Sequence, residues 1–283
     1  MIDRVAALDG LEHLRRSPLG PPGISTNLKK LRLIQSTFRG WLLPCLLLPL
    51  ATILAPRRRL SWLTVRMEEF GVFLSDKGSG IRIKAPVMDV WPAFEVFAFG
   101  EYDFSVFHWP SIRTAVDCGA HVGSFSLWLS HQTACQIVAV EPNPIAHRFL
   151  QHNVAGLGRR ISMSTVAVGG RNEQRTLYDS GFPGISSFSS TSGQRGFQVD
   201  VITLEELFDR SGLAEVDLLK MDIEGAEAQV FETVSTATLR RIRAAVIECH
   251  PEAGTDITLI KAKLAEAGMQ VASEPRMVVA WRN

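Results

Sequence analysis

From Ser111 to the carboxyl terminus, short apolar runs alternate with stretches of helical spacing, and most of the runs end on a polar side chain. Thr114 to Asp117, Gln136 to Glu141, Ile161 to Val168, Val216 to Asp222 and Ala244 to Glu248 read as five strands. Helices are predicted between them, the first from Gly123 to His131. Asn143 followed by Pro144 is an N-cap with proline at the first helical position. Thr203-Leu-Glu-Glu206 has the spacing of a capping box, and Gly212 closes that helix. Another helix starts near Gly225. Ile257, Ile260 and Leu264 share a face of the last one, which stops at Gly268; Met269–Val271 and Met277–Trp281 then form a closing hairpin. Apolar strands separated by helices predict a parallel sheet covered on both faces. In such sheets ligands bind beyond the carboxyl ends of the strands.

The first 110 residues have a different pattern. Gly71 to Ala85 reads as a hairpin turning through Asp76–Gly80. Residues 90–107 are rich in aromatics (Trp91, Phe94, Phe97, Phe99, Tyr102, Phe104, Phe107) and read as a helix capping one edge of the sheet. Trp41 to Ala55 is the most apolar stretch. It is too short for a plain spanning helix, is broken by Pro44 and Pro49, and begins too far into the chain for a secretory signal. Lys29, Lys30, Arg32 and Arg39 precede it and Arg57–Arg59 follow. Three readings stay open: an interfacial anchor held by anionic head groups, an apolar cover for the globule or a partner subunit, and a true span. The pattern divides the chain into an N-terminal extension over 1–60, a hairpin and helix over 61–110 packed on the core, and a ligand-binding domain over 111–283.

Charge sharpens that division. The 283 residues carry 30 basic and 29 acidic side chains, a balance that argues against a nucleic-acid partner. Residues 1–60 hold ten Lys and Arg against three Asp and Glu; residues 61–283 hold twenty against twenty-six. Cys45, Cys118, Cys135 and Cys249 show neither a C-x-x-C pair nor zinc spacing. That favours a reduced, cytoplasmic setting, with peripheral membrane contact through residues 29–59 left open.

Four constellations carry candidate chemistry. Asp117, Gly119, Ala120, His121 and Gly123 follow an apolar strand and open a helix, so the glycines allow a tight turn and close approach of a ligand to the backbone. This is not G-x-G-x-x-G, because an aspartate stands where the first glycine belongs. A negative charge there opposes a pyrophosphate and suits a cationic ligand such as the sulfonium or ammonium of S-adenosylmethionine. Glu141, with Pro142 after it, ends the next strand, where a carboxylate can accept both hydrogens of a ribose diol. Asp222, Glu224 and Glu227 crowd a strand end and a helix start beside Lys220; their spacing permits Mg²⁺ but does not demand a metal. Glu248 and His250 end the following strand, where a His–carboxylate pair can act as general base for a hydroxyl. The polar loop Gly181–Gly193 reads as a lid, an acceptor loop or plain surface, and Arg240, Arg241 and Arg243 as a solvated helix end.

These residues resemble a known family. Val116–Gly123, Ala139–Pro144, Thr203–Leu207, Leu218–Glu227 and Val246–His250 are similar to the FkbM-type S-adenosylmethionine-dependent methyltransferases, over roughly residues 90–283. Lys-x-Asp-x-Glu-Gly-x-Glu, from Lys220 to Glu227, is the most specific of these motifs. The family commonly has Asn where His121 stands. The resemblance implies an α/β class I methyltransferase fold, a Rossmann-like doubly wound sheet of seven strands with the last antiparallel. It also implies O-methylation, on a sugar, glycolipid or polyketide-like hydroxyl. In that reading Asp117 and the amides around Gly119 hold the methionine end of the cofactor and Glu141 its ribose. Asp222 and Glu224 line the methyl–acceptor junction, and Asp222 or His250 draws off the hydroxyl proton. Two rivals are a nicotinamide-dependent oxidoreductase, which the missing glycine motif opposes, and a non-catalytic membrane-associated protein on the same fold.

Overall fold

The computed structural model describes residues 34–39, 71–86, 89–179, 186–188 and 195–282. The apolar run Trp41–Ala55, its basic flanks apart from Arg39, Cys45 and most of the Gly181–Gly193 loop lie outside the described residues. Among the described residues no helix is long and apolar enough to cross a membrane.

The alternation read from Ser111 onward forms one seven-stranded sheet. Its strands are β4 (Thr114–Cys118), β5 (Gln136–Val140), β6 (Ile161–Ser164), β11 (Val216–Met221), β12 (Ile242–Glu248), β13 (Gln270–Glu274) and β14 (Met277–Trp281). Their spatial order is β13-β14-β12-β11-β4-β5-β6. All run parallel except β14, which is antiparallel to both of its neighbours, so the expected sheet is present. From β4 the chain steps outward to β5 and β6, then returns to place β11 on the other side of β4. That reversal opens a crevice at the carboxyl tips of β4 and β11, the place where such sheets bind ligands.

Successive strand residues point to opposite faces, and the two faces have separate cores. Ala115, Ile137, Leu218 and Val246 face helices α2 (Ser124–Gln132) and α3 (Pro144–Val154). Val116, Val138, Leu219 and Ala245 face α4 (Leu204–Arg210), α5 (Glu227–Thr233), α6 (Thr236–Arg240) and α7 (Ile257–Glu266). The helix starts follow the sequence: the Asn143 side chain accepts from the Ile145 amide and Thr203 Oγ1 from the Glu206 amide, 3.2 Å away.

The N-terminal hairpin pairs β2 (Gly71–Asp76) with β3 (Arg82–Pro86), and β1 (Phe38–Arg39) adds on the outer side of β2. Phe38, Leu74 and Ile83 are fully buried on the α2–α3 side. At about 1.5–3 kcal/mol for each such side chain, they hold the hairpin to the globule. Asn153 of α3 clamps it further: its Oδ1 accepts from the Lys84 amide and its Nδ2 donates to the carbonyls of Lys84 and Val122.

Three local expectations need correction. The aromatic segment is helical only over α1 (Trp91–Phe97), which packs on α2 rather than capping the sheet edge; Tyr102, Phe104 and Phe107 continue as irregular chain in the same core. The strand expected over Ile161–Val168 breaks after Ser164. Its second half, β7 (Ala167–Val168), joins β8 (Glu173–Asp179), β9 (Ser186–Ser187) and β10 (Arg195–Ile202) in a second sheet of order β7-β10-β8-β9. Two of the three arginines assigned to a solvated helix end are paired: Arg241 Nη1 donates to Asp209 and Arg243 Nη1 to Asp217, each at 2.8 Å.

Candidate active site

Just beyond β4, Gly119 packs so closely on the Asp222 backbone after β11 that it has no room for a side chain. Gly119 has φ +77°, and a Cβ there would overlap the carbonyl oxygen of Asp222. Beyond it the chain turns through His121 (φ +53°) and Gly123 (φ +89°), the N-cap of α2. The turn is tied to β5, because the amides of Gly119 and Ala120 both donate to the Val140 carbonyl.

Glu141 organises this turn. Its Oε2 accepts from the His121 amide and its Oε1 from the Asn143 amide, both at 2.8 Å. A carboxylate has about four acceptor positions, so two remain for a ligand. Burial pushes its carboxyl up from the usual range, offset by His121 and the two amides. His121 Nε2 lies 3.0 Å from Asp89 Oδ2, which brings a residue from before the sheet into the site. Two atoms of that pair, His121 Nδ1 and Asp89 Oδ1, are buried with no hydrogen bond among the described residues.

Asp117 does not face the ligand space, contrary to the role expected for it. It is fully buried, accepts from Ser126 Oγ at 2.7 Å, and lies 3.4 Å from Lys220 Nζ. Lys220 is the charge that connects the motifs. Its ammonium donates to the Gly119 carbonyl at 2.8 Å and sits 3.6 Å from Asp222 Oδ2, above the ring of Tyr102. Gly123 is also removed from the cavity; a Cβ there would meet Leu150 of α3 at 2.7 Å, so its role is in the turn.

The carboxylates after β11 divide by position. Glu227 is fully buried and accepts from the Ile223 amide and from Thr255 Oγ1. It also lies 3.2 Å from His250 Nδ1, so His250 pairs with Glu227 and not with Glu248 as the sequence suggested. The other ring nitrogen, Nε2, faces Glu224 Oε2 at 3.4 Å and Asp222 Oδ1 at 3.8 Å. Burial works against a charged His250 ring, but Glu227 and then Glu224 and Asp222 outweigh it and hold the ring up to about 9. Burial, reinforced by Asp222, raises Glu224 to about 7 and Glu248 to about 8.

Gly119, Ala120, His121, Glu141, Pro142, Asp222, Glu224 and His250 all line one cavity of about 450 Å³. Sequence reasoning missed its other wall. Asp89, Trp91 and Tyr102 line it from the N-terminal segment, and Phe188 from the loop between β9 and β10. The sequence pattern puts Tyr102 in an edge-capping helix; it lies instead in the core, 5% exposed and edge-on against Phe125. The missed signal was a hydroxyl in a segment made mostly of phenylalanine, and that hydroxyl lies 3.5 Å from Glu248 Oε2.

Residues 117–271 match the family model of the methyltransferase FkbM domain, more than half of the chain. The chain belongs to that family. It is 26% identical to methyltransferase sdnD of Sordaria araneosa, over 62% of this chain and 81% of that protein. It is 25% identical to the AMB antimetabolite synthetase AmbE of Pseudomonas aeruginosa over 55% of this chain, a match that spans only 9% of AmbE. Among solved structures, methyltransferase FkbM of Methylobacillus flagellatus superposes with a TM-score of 0.46 at 15% identity, covering 64% of this chain and 46% of that one.

Proposed function

We propose that this FkbM-family protein is an S-adenosylmethionine-dependent O-methyltransferase acting on a hydroxyl of a sugar, glycolipid or polyketide-like acceptor. One observation carries the reading: the cavity joins the Gly119–His121 turn and Glu141 on one side to Asp222 and Glu224 on the other. The residues fit the cofactor. The glycine turn exposes backbone, Glu141 keeps acceptor capacity for a diol, and Asp222 Oδ1 is a buried oxygen with no hydrogen bond among the described residues. An acidic wall also suits a ligand with net positive charge.

When bound, S-adenosylmethionine supplies a methyl group already activated by its sulfonium. The protein's part is alignment, which can be worth about 7–11 kcal/mol. Glu141 fixes the turn and orients the ribose. Lys220 holds the tips of β4 and β11 at a set separation by bridging Asp117, Asp222 and the Gly119 carbonyl. Asp222 and Glu224 are the partly exposed carboxylates at the acceptor end and are placed to receive the hydroxyl proton. His250 stands behind them, fastened to Glu227, and orients rather than receives.

Calorimetric titration with S-adenosylmethionine tests this reading. The wild type binds, and Glu141→Ala weakens binding about ten- to a hundredfold, as expected for charge-assisted hydrogen bonds of about 1.5–3 kcal/mol. Absence of binding by the wild type would remove the proposal. A radiolabelled methyl donor offered with glycans, glycolipids and polyketide alcohols then identifies the acceptor. In the same reading residues 29–59 make a peripheral membrane contact. Vesicle flotation of the full chain, lost when Arg57, Arg58 and Arg59 are changed to Gln, is the expected result.

A further inference from the structure

We infer that Asp222, Glu224 and His250 form a binding site for a single divalent transition-metal cation at the acceptor end of the cavity. Each offers one donor atom, and the three donor atoms lie within 4.8 Å of one another. His250 Nε2 is 3.4 Å from Glu224 Oε2 and 3.8 Å from Asp222 Oδ1. Donors sharing one ion with bonds of about 2.1 Å stand about 3–4 Å apart, so the set closes on a cation with small side-chain adjustments.

Two observations separate this cluster from a chance gathering of acids. The His250 side chain is 6% exposed, and its Nε2 lies in the gap between the two carboxylates, 3.4 Å from Glu224 and 3.8 Å from Asp222. Its Nδ1 is engaged by Glu227, itself fixed by Thr255 and the Ile223 amide, in the carboxylate–histidine arrangement that orients a metal-binding imidazole. With Nδ1–H donated to Glu227, Nε2 turns a lone pair between the two carboxylates once an incoming cation displaces its proton. On the other side, Asp222 Oδ1 is buried with no hydrogen bond among the described residues, a costly position for a carboxylate oxygen unless a cation or donor meets it.

The donor set names the class of ion. One imidazole with two carboxylates suits Mn²⁺, Fe²⁺, Co²⁺ or Zn²⁺ better than the all-oxygen preference of Mg²⁺ or Ca²⁺. Three protein ligands leave coordination positions open. Asp222 and Glu224 line the cavity, so the open positions face the acceptor. Joined to the methyltransferase reading, on which this last step rests, the ion would take an acceptor hydroxyl as a ligand and ease loss of its proton to the Glu224 oxygen that does not bind the ion. The acceptor class is then an alcohol with a second oxygen near enough to chelate.

The full-length chain, freed of metal by dialysis against a chelator, is titrated with Co²⁺ and followed by visible absorption, with Mn²⁺ paramagnetic resonance as a second readout. Saturable binding of one ion is expected, with a nitrogen-ligand spectrum. Asp222→Asn and Glu224→Gln, both at partly exposed positions, each weaken it at least about tenfold. Wild-type binding no tighter than millimolar would overturn the site. So would equal binding by the Asp222→Asn/Glu224→Gln double variant, which would leave the cluster as a protonated histidine among acids. Calorimetry with S-adenosylmethionine on the same samples is independent: cofactor binding without metal binding sinks this inference alone, and metal binding without cofactor binding sinks only the methyltransferase reading.

Discussion

Lys220 Nζ lies 3.4 Å from Asp117 Oδ1, and both side chains are closed off from water between adjacent strands of the sheet. Burial works against the lysine's charge, but Asp117 and then Asp222 outweigh it, so the net shift is upward and the lysine stays charged. Removing one partner of a buried ion pair leaves the other uncompensated, at a cost of about 3–5 kcal/mol. Lys220→Met should therefore lower stability by that amount in denaturant unfolding. A loss below about 1 kcal/mol would show that Asp117 does not depend on this ammonium.

Gly119 and Gly212 both have positive φ, yet replacing them should differ sharply. A Cβ on Gly119 overlaps the Asp222 carbonyl, whereas on Gly212 it meets nothing within 4 Å among the described residues. Gly212→Ala is expected to cost about 1–2 kcal/mol, the conformational strain alone. Gly119→Ala must also push β4 and β11 apart, so it should abolish cofactor binding and lower the melting temperature well beyond the Gly212 variant. Differential scanning fluorimetry and calorimetric titration check both.

The His121–Asp89 pair should make stability fall as pH rises. Burial lowers the ring's proton affinity, but Asp89 outweighs it, with Glu141 adding to the upward shift and Lys220 opposing it. A histidine whose folded value lies above its unfolded value of about 6.5 stabilises fully below that pH and loses the contribution as pH climbs through the folded value. Asp89→Asn should flatten the wild type's decline above pH 6.5 in thermal unfolding. An identical pH profile for the two proteins would refute the coupling.

Asp217 predicts the opposite dependence at the acid end. Burial raises its carboxyl, but amide hydrogen bonds from Arg113 and Thr114 and the Arg243 guanidinium dominate and hold it below the usual value. A carboxylate depressed in the folded state stabilises above its unfolded value near 3.8 and loses the contribution as pH falls through the depressed value. Asp217→Asn should therefore lower stability at pH 7 and narrow the gap to wild type at pH 2–3, read by urea unfolding.

Five strand positions, the N-caps at Asn143 and Thr203 and the closing hairpin were all legible from pattern, because burial on both faces demands continuous apolar runs and caps depend on local side chains. The candidate carboxylates were legible for the same reason: a polar residue ending an apolar strand must lie at the sheet's edge. Their partners were not. Asp117 looked like a ligand contact because the motif shows its place in the chain, whereas its burial under Lys220 depends on how closely β4 and β11 pack. The second sheet was missed because Glu173–Asp179 and Arg195–Ile202 are too polar to stand out by hydropathy.

The local pattern of the chain alone determined that carboxylates gather at the tips of parallel strands, since period-two burial and turn chemistry act within a few residues. Only the tertiary structure decided which of them line the cavity and which are buried against a partner. Asp117 turns to Lys220 and Glu227 to His250, while Asp222 and Glu224 border the cavity. That choice rests on distances between strands and on loss of water from between them, and neither is written in the spacing of residues along one segment.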